Sequence, residues 1–139
     1  MDYLLDTNIW SYMQEGNQVV ASQIAQLPDQ ATLFMSAVTQ GELLGGIQLV
    51  DNPSRRSQLV TMYEQVVSDA TEILPVDQKV AERYAEIYAM LRRKGRPIES
   101  NDMWIAATAL ADGLVLVSSD QHFRFVDGLQ VEDWTKPIL

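Results

Sequence analysis

The sequence predicts an α/β fold, a three-layer α/β/α sandwich in which a central parallel sheet lies between two layers of helices. Short apolar runs alternate with longer amphipathic stretches along the chain, as expected of parallel strands joined by helical crossovers. One run, Leu114–Val117, is apolar at every position, which favours a strand covered on both faces. The 139 residues fit one domain, which we expect to span residues 1–139.

The first half of the chain is predicted to hold two strands and four helices. They are a strand at Tyr3–Leu5, helices at 9–15 and 18–27, a strand at Thr32–Met35, and helices from about Val38 to Leu49 and from Pro53 to about Ser68. Gly16 and Asn17 separate the first two helices, and Asn52 and Pro53 end one helix and begin the next, because these residue types favour turns and helix starts.

The second half is predicted to hold three strands and two helices. They are a strand at Glu72–Pro75, a helix from Asp77 to about Arg93, a helix from Asn101 or Asp102 to Gly113, a strand at Leu114–Val117 and a short strand at Gln130 and Val131. The first of these helices carries apolar or aromatic residues at helical spacing, namely Val80, Tyr84, Ile87, Tyr88 and Leu91. Asp77 is a favourable cap, and Gly95–Pro97 predicts a loop.

Composition excludes several classes of function. Cysteine is absent, so a disulfide, a zinc–thiolate site and a cysteine nucleophile are impossible. The N-terminus lacks the basic start and long apolar core of a signal peptide, and no apolar run approaches the roughly 20 residues that a membrane helix needs. We therefore expect a soluble, cytoplasmic protein that does not bind membranes.

Two acidic residues follow predicted strands. Asp6 ends the first strand and Asp120 comes just after the fourth. Ligands of open parallel sheets bind beyond the carboxyl ends of the strands, so both side chains are candidates for a functional site. The alternative is that Asp6 caps the next helix and that Asp120 is a turn residue.

Two more acidic residues lie on predicted apolar helix faces. Glu42 shares a face with Val38, Gly45, Gly46 and Leu49, and Asp102 shares one with Ile105, Ala106, Ala109, Leu110 and Gly113. A carboxylate that faces a core is costly unless it is paired or bound to a metal. The alternatives are that Glu42 is solvated at the edge of its face and that Asp102 caps its helix.

Together, the four carboxylates predict a cation site at one end of the sheet. Clustered carboxylates repel each other, and a divalent ion removes the repulsion. Oxygen ligands favour Mg²⁺ or Mn²⁺, and such ions activate water for phosphodiester hydrolysis. Thr7, Asn8 and Ser118 are candidates for orienting ligands or waters, although capping and turn roles explain them equally well.

Four motifs resemble, in order and spacing, those of PIN-domain nucleases. They are Leu5–Asn8, Gln40–Leu43, Asn101–Ala107 and Leu116–Phe123. The closest likeness is to the VapC-like toxins of bacterial type II toxin–antitoxin modules, and it covers essentially the whole chain. Position 118 is serine where the family usually has threonine, which keeps the hydroxyl, and position 120 varies in the family between Asp and Asn.

The resemblance implies a PIN-like α/β/α sandwich and an endoribonuclease dependent on Mg²⁺ or Mn²⁺, acting on tRNA or another structured RNA. By motif match, the acidic site and the metal ligands would be Asp6, Glu42, Asp102 and Asp120. The resemblance also implies a cognate antitoxin protein as partner and a homodimer.

A basic segment precedes the Asp102 helix by a few residues. Arg92, Arg93, Lys94 and Arg96 supply four of only ten basic residues in a chain of net charge −9. They are candidates for RNA phosphate contacts, and the alternative is a solvated helix end. His122 is expected to be structural or to lie at the rim beside Phe123.

Two other functions compete with the nuclease. One is a PIN-like module without catalysis that binds RNA or a protein. The other is a phosphoryl-transfer enzyme with Asp6 as nucleophile, which the chain disfavours because no second acidic residue lies two positions after Asp6 and no lysine is near it in sequence.

Overall fold

The computed structural model describes residues 1–137, and in this part of the chain five parallel strands form one sheet in the order β3-β2-β1-β4-β5. The strands are β1 (Asp2–Leu5), β2 (Thr32–Ser36), β3 (Glu72–Leu74), β4 (Val115–Val117) and β5 (Val131–Glu132). The helices are α1 (Thr7–Gln14), α2 (Gln18–Ala25), α3 (Ala37–Gln48), α4 (Pro53–Asp69), α5 (Gln78–Lys94) and α6 (Ser100–Asp112), followed by a 3₁₀ helix at Gln121–Phe125. The predicted α/β class with a central parallel sheet is confirmed.

Most helix ends follow from local capping chemistry. Asn52 accepts a hydrogen bond from the Arg55 amide in front of Pro53, and the Asp77 side chain accepts one from the Val80 amide. α1 begins two residues earlier than predicted, because Asp6 caps it by accepting from the Thr7 amide. The fifth strand, predicted at Gln130 and Val131, lies one residue later, at Val131–Glu132.

β1 divides the core into two halves because its side chains alternate across the sheet. Leu4 packs into a cluster with buried residues of α5 and α6. Tyr3 and Leu5 point the other way, into a cluster that contains Trp10 of α1 and Val66 of α4. Helices therefore cover both faces of the sheet, which makes the three layers of the sandwich.

The prediction of which face of α3 packs against the core is wrong. The residues proposed to share that face include Glu42, Gly45 and Leu49, all of which are exposed, and Leu49 is 84% exposed. The buried residues of α3 are Thr39 and Ile47. Because the helix contains three glycines, its sides differ little in hydropathy. The sequence therefore does not indicate which side of the helix faces the core.

α5 and α6 follow their predicted faces more closely. Val80, Ile87 and Leu91 of α5 are buried, whereas Tyr88 is 41% exposed and does not belong to the core. On the predicted face of α6, Ile105, Ala106 and Ala109 are buried. No helix within residues 1–137 has both the length and the apolar character needed to cross a membrane.

The order of the strands creates a crevice between β1 and β4. From β1 the chain moves to β2 and β3 on one side, and it later returns to β4 on the other side of β1. Adjacent loops then leave the sheet in opposite directions, which is where open α/β sheets bind ligands. The Asp6 amide donates to the Val117 carbonyl across this point, at 2.9 Å.

Candidate functional site

Asp6 is a buried carboxylate at the end of β1, with only 5% of the residue exposed. Its Oδ1 accepts a hydrogen bond from the Thr7 amide at 2.8 Å, and its Oδ2 accepts one from Ser118 Oγ at 2.8 Å. Asp6 is thus the helix cap that the sequence allowed and also part of the acidic crevice. Two fixed hydrogen bonds hold the carboxylate in one orientation.

Burial raises the pKa of Asp6 above its ordinary value of 3.8. The hydrogen bonds from Ser118 and Thr7 lower this pKa, and the negative charges of Glu42 and Asp120 raise it again. The net direction is upward, so the surroundings of Asp6 disfavour its ionised form.

Ser118 and Asp120 extend the site from β4. The Ser118 amide donates to the Glu132 carbonyl of β5 at 2.9 Å, and its hydroxyl oxygen accepts from the Asp120 amide at 3.0 Å. Asp120 Oδ1 caps the 3₁₀ helix by accepting from the His122 amide, and its Oδ2 lies 2.7 Å from His122 Nε2. Ser118 therefore connects Asp6 to Asp120 through a single hydroxyl group.

Asp102 lies in the first turn of α6 and is half-buried. The cap position belongs to Glu99, whose side chain makes no capping hydrogen bond, so capping does not explain Asp102. The pKa of Asp102 is raised from 3.8 to about 6, first by burial and then by the charges of Asp6, Asp120 and Glu42, while His122 opposes the shift. The carboxylates around Asp102 are therefore close enough to disfavour its ionised form.

Glu42 joins the site through two threonines. Thr7 Oγ1 donates to Glu42 Oε1 at 2.7 Å and lies 3.0 Å from Thr39 Oγ1. A hydroxyl has one proton, so Thr7 can give it only to Glu42, and Thr39 is then the donor to Thr7. Although Glu42 is exposed, the buried Thr39 supports its orientation through Thr7.

One compact group of candidate metal-binding side chains occurs within residues 1–137. Oxygen or nitrogen atoms of Asp102, Asp120 and His122 lie within 4.8 Å of one another. Asp6 and Glu42 lie outside this trio. The trio lines a pocket whose other walls are Asn8, Pro97, Ile98 and Glu99.

The pocket fits a divalent cation by the chemistry of its donors. No lysine or arginine of the described residues forms an ion pair with Asp6, Glu42 or Asp102. Burial, together with the neighbouring carboxylates, raises the pKa values of Asp6 and Asp102, and a divalent cation would favour their ionised forms. Oxygen-rich sites of this kind suit Mg²⁺ or Mn²⁺.

Two residues of the site were missed from the sequence. His122 was expected to be structural or to lie at the rim beside Phe123. The centroids of the His122 and Phe123 rings are 6.5 Å apart, and His122 also contacts Asp120 in the pocket. The signal was present in the sequence, because His122 lies two positions after Asp120. Thr39 had no such signal, because its role depends on the helix phase of α3.

The basic segment lies outside the lining of the acidic pocket. Lys94 pairs with Asp127 and also donates to the Phe125 carbonyl at 2.8 Å. The guanidinium of Arg92 lies over the Tyr88 ring, and that of Arg96 lies over the Phe125 ring. Arg93 is exposed on the last turn of α5.

Known protein families and characterised proteins show similarity to the whole chain. The family model of the PIN domain matches residues 3–129. Ribonuclease VapC1 of Haemophilus influenzae is 30% identical, over 98% of this chain and 100% of the relative. The tRNA(fMet)-specific endonuclease VapC of Shigella flexneri is 29% identical, over 97% of this chain and 99% of the relative.

Solved structures share the fold over nearly the full length. VapBC2 from Rickettsia felis, bound to a DNA fragment from its promoter, superposes with a TM-score of 0.88 at 27% identity, over 96% of this chain and 99% of the other. VapBC-5 from Mycobacterium tuberculosis, a member of the VapBC family of toxin–antitoxin systems, has a TM-score of 0.73 at 31% identity, covering 95% and 96%.

Proposed function

The chain belongs to the PIN-domain family as a VapC-type ribonuclease toxin of a toxin–antitoxin system, and we propose that it cuts RNA with a divalent cation held by its clustered carboxylates. The proposed ligands are Asp6, Glu42, Asp102 and Asp120. The single observation that carries this proposal is geometric. Possible ligand atoms of Asp102, Asp120 and His122 lie within 4.8 Å of one another, and the Ser118 hydroxyl joins the buried Asp6 carboxylate to the Asp120 amide beside them.

A bound Mg²⁺ or Mn²⁺ would supply an activated water and neutralise charge on the leaving oxygen. The protein's own part is to hold the ligands in place. Each oxygen of Asp6 already accepts one hydrogen bond, and its remaining lone pair is available to a cation. Thr7 and Ser118 thereby act as orienting partners of Glu42 and Asp6, and Asn8 lies on the pocket wall.

We propose a structured RNA such as tRNA as the substrate class. The support is the tRNA-specific relative and the accessibility of the acidic pocket, whose lining residues Asn8 and His122 are exposed. Mg²⁺ sites that act on phosphates keep several positions for water and substrate oxygens, so a partly exposed carboxylate set is suitable.

Cleavage of a labelled tRNA pool by the purified chain, free of any partner, tests the proposal. We expect cutting with Mg²⁺ or Mn²⁺, none with EDTA, and a loss of at least about a hundredfold for Asp6→Asn or Asp102→Asn. Asp29→Asn is the matched control, because Asp29 is an exposed acidic residue in the loop before β2. The proposal fails if neither ion supports cutting or if the two site variants cut like Asp29→Asn.

Calorimetric titration with Mn²⁺ separates the enzyme from a binding module without catalysis. A nuclease of this kind takes up the ion in a stoichiometric ratio, and Asp102→Asn weakens that uptake. A scaffold that happens to share the fold takes up none.

An antitoxin protein is the proposed partner. An open, mostly apolar groove between α2 and α4 is lined by residues such as Ala21, Ile24, Met62 and Val66. The groove is separate from the acidic pocket, and an apolar segment of the antitoxin would cover it.

Homodimerisation, which the sequence resemblance implies, stays a prediction that sedimentation measurements test.

A further inference from the structure

We propose that Arg96 and Arg124, stacked on the ring of Phe125, form a phosphate-binding surface that holds the RNA strand beside the acidic pocket. The guanidinium carbons lie 4.6 Å and 4.9 Å from the centroid of that ring. This inference rests on the proposed nuclease function and adds to it the place where the substrate backbone binds. We call the three residues the arginine surface.

Within residues 1–137, neither arginine of the arginine surface pairs with a carboxylate. In the part of the chain that the structure describes, ion pairs to carboxylates use Lys79, Arg83, Lys94, Lys136 and His122, but neither arginine of this surface. Two like charges beside one ring repel each other. Phosphate groups of a bound RNA strand would supply negative charge to both arginines and relieve this repulsion.

The backbone at Phe125 is fixed by Lys94 of the basic segment. Lys94 donates to the Phe125 carbonyl at 2.8 Å and pairs with Asp127. Lys94, one of the four residues named from the sequence as candidate RNA contacts, already makes these two contacts within the protein. The contact of the basic segment with RNA stays a prediction.

The arginine surface adjoins the acidic pocket along both chain segments. Arg96 directly precedes Pro97, which lines the pocket, and Arg124 lies two residues after His122, which lines it as well. Each of the two chain segments that line the pocket therefore also carries one of the two arginines. A strand whose scissile phosphate reaches Asp102 would pass close to them.

Arginine stacked on an aromatic ring suits phosphate better than a free lysine would. The ring covers the face of the guanidinium and leaves its N–H edge available for paired hydrogen bonds to phosphate oxygens. Such contacts position a nucleic acid without reading its sequence. We therefore expect the arginine surface to contribute to the affinity for RNA and not to sequence specificity.

Steady-state cleavage of a fluorescent RNA with Mn²⁺ tests the inference with the double variant Arg96→Gln and Arg124→Gln. We expect KM to rise about tenfold with kcat within about twofold, because two cations that bind substrate phosphates are removed while the metal ligands are untouched. The slope of log kcat/KM against log salt should become shallower by about 0.7 for each phosphate of single-stranded RNA that the variant no longer neutralises.

The matched control is Arg55→Gln with Arg56→Gln on α4, which removes the same charge. Arg55 is exposed and Arg56 is partly exposed, and neither makes an ion pair among the described residues. Its kinetics should match the wild type. Equal effects of the two double variants would mean that general charge matters, and would overturn the inference. Unchanged RNA kinetics with weaker inhibition by the antitoxin would overturn it too, because the surface would then serve the protein partner.

Two further readouts separate failure of this inference from failure of the proposed function. Mn²⁺ uptake by calorimetry should be the same in the Arg96 and Arg124 variant as in the wild type. If the double variant proves unstable, Arg124→Gln alone should give half of the change in salt slope. A wild type that cuts no RNA defeats the proposed function, whereas equal cutting by wild type and variant defeats only this inference.

Discussion

Asp6 uses both of its oxygens for hydrogen bonds that also build the fold. One oxygen caps α1 through the Thr7 amide, and the other accepts from Ser118 of the segment after β4. The sequence offered capping and chemistry as alternatives, and at Asp6 and Asp120 the capping geometry coexists with a place in the acidic crevice. A capping bond therefore does not argue against a functional role, because a cap at the end of a parallel strand already faces the ligand edge.

Thr39 offers a test of the hydroxyl chain that leads to Glu42. Thr39→Val keeps the shape of the side chain but leaves Thr7 without its donor, so Glu42 loses a fixed orientation. We expect Mn²⁺ affinity, measured by calorimetry, to fall about tenfold, the low end for partners of metal ligands. Thr39→Ser retains the hydroxyl and should bind the ion like the wild type. Equal affinities for the valine and serine variants would contradict this role.

The buried face of a helix could be predicted where an apolar face lies opposite a charged one, as in α5. The buried face of α3 could not be predicted. α5 buries Val80, Ile87 and Leu91 as its spacing predicted, because charged residues occupy its other side. α3 contains three glycines and few charges, so several phases bury similar apolar area. Glu42 was named by motif likeness and does join the site, but the argument that it interrupts a core-facing stripe was wrong.

The end of α6 gives a prediction for stability at the scale of an element. Gly113 follows α6 and, with Leu114, connects it to β4. Its φ of +66° is left-handed, a backbone conformation that costs an alanine about 1 kcal/mol. Gly113→Ala should lower the free energy of unfolding by that amount in urea. Gly45→Ala, in the exposed interior of α3 with open space at the added methyl, should raise it by about 0.5–1 kcal/mol. A loss of stability in both variants would contradict the argument.

The parallel sheet and its functional edge were predictable, whereas the order of its strands and the contacts within the site were not. Alternating strands and helices placed Asp6 and Asp120 at one edge from the sequence alone, because parallel strands share their carboxyl ends. The Thr39 hydroxyl, the contact of His122 with Asp120 and the stacking of Arg124 depend on side-chain placement. Periodicity fixes which face a residue occupies, but not which atom it reaches.

The acidic crevice should make the metal-free protein less stable as pH rises. The pKa of Asp102 is about 6 in the folded chain against an ordinary 3.8, so the folded state binds more protons between these values and loses stability as pH rises through them. Thermal unfolding in EDTA should therefore show a smaller loss of stability between pH 4 and 6 for Asp102→Asn than for the wild type. Asp29→Asn controls for the change in net charge. Identical pH profiles for Asp102→Asn and the wild type would contradict the prediction.

The hydrogen bond between Asp6 and Ser118 joins residues 112 positions apart. Synthesis proceeds from the N-terminus, so β1 and Asp6 are translated well before β4. Until β4 pairs with β1, Asp6 lacks its serine partner and the residues after β4 are missing from the crevice. A chain in which β4 has not yet paired with β1 therefore lacks the complete acidic crevice, so the site forms only after the sheet does.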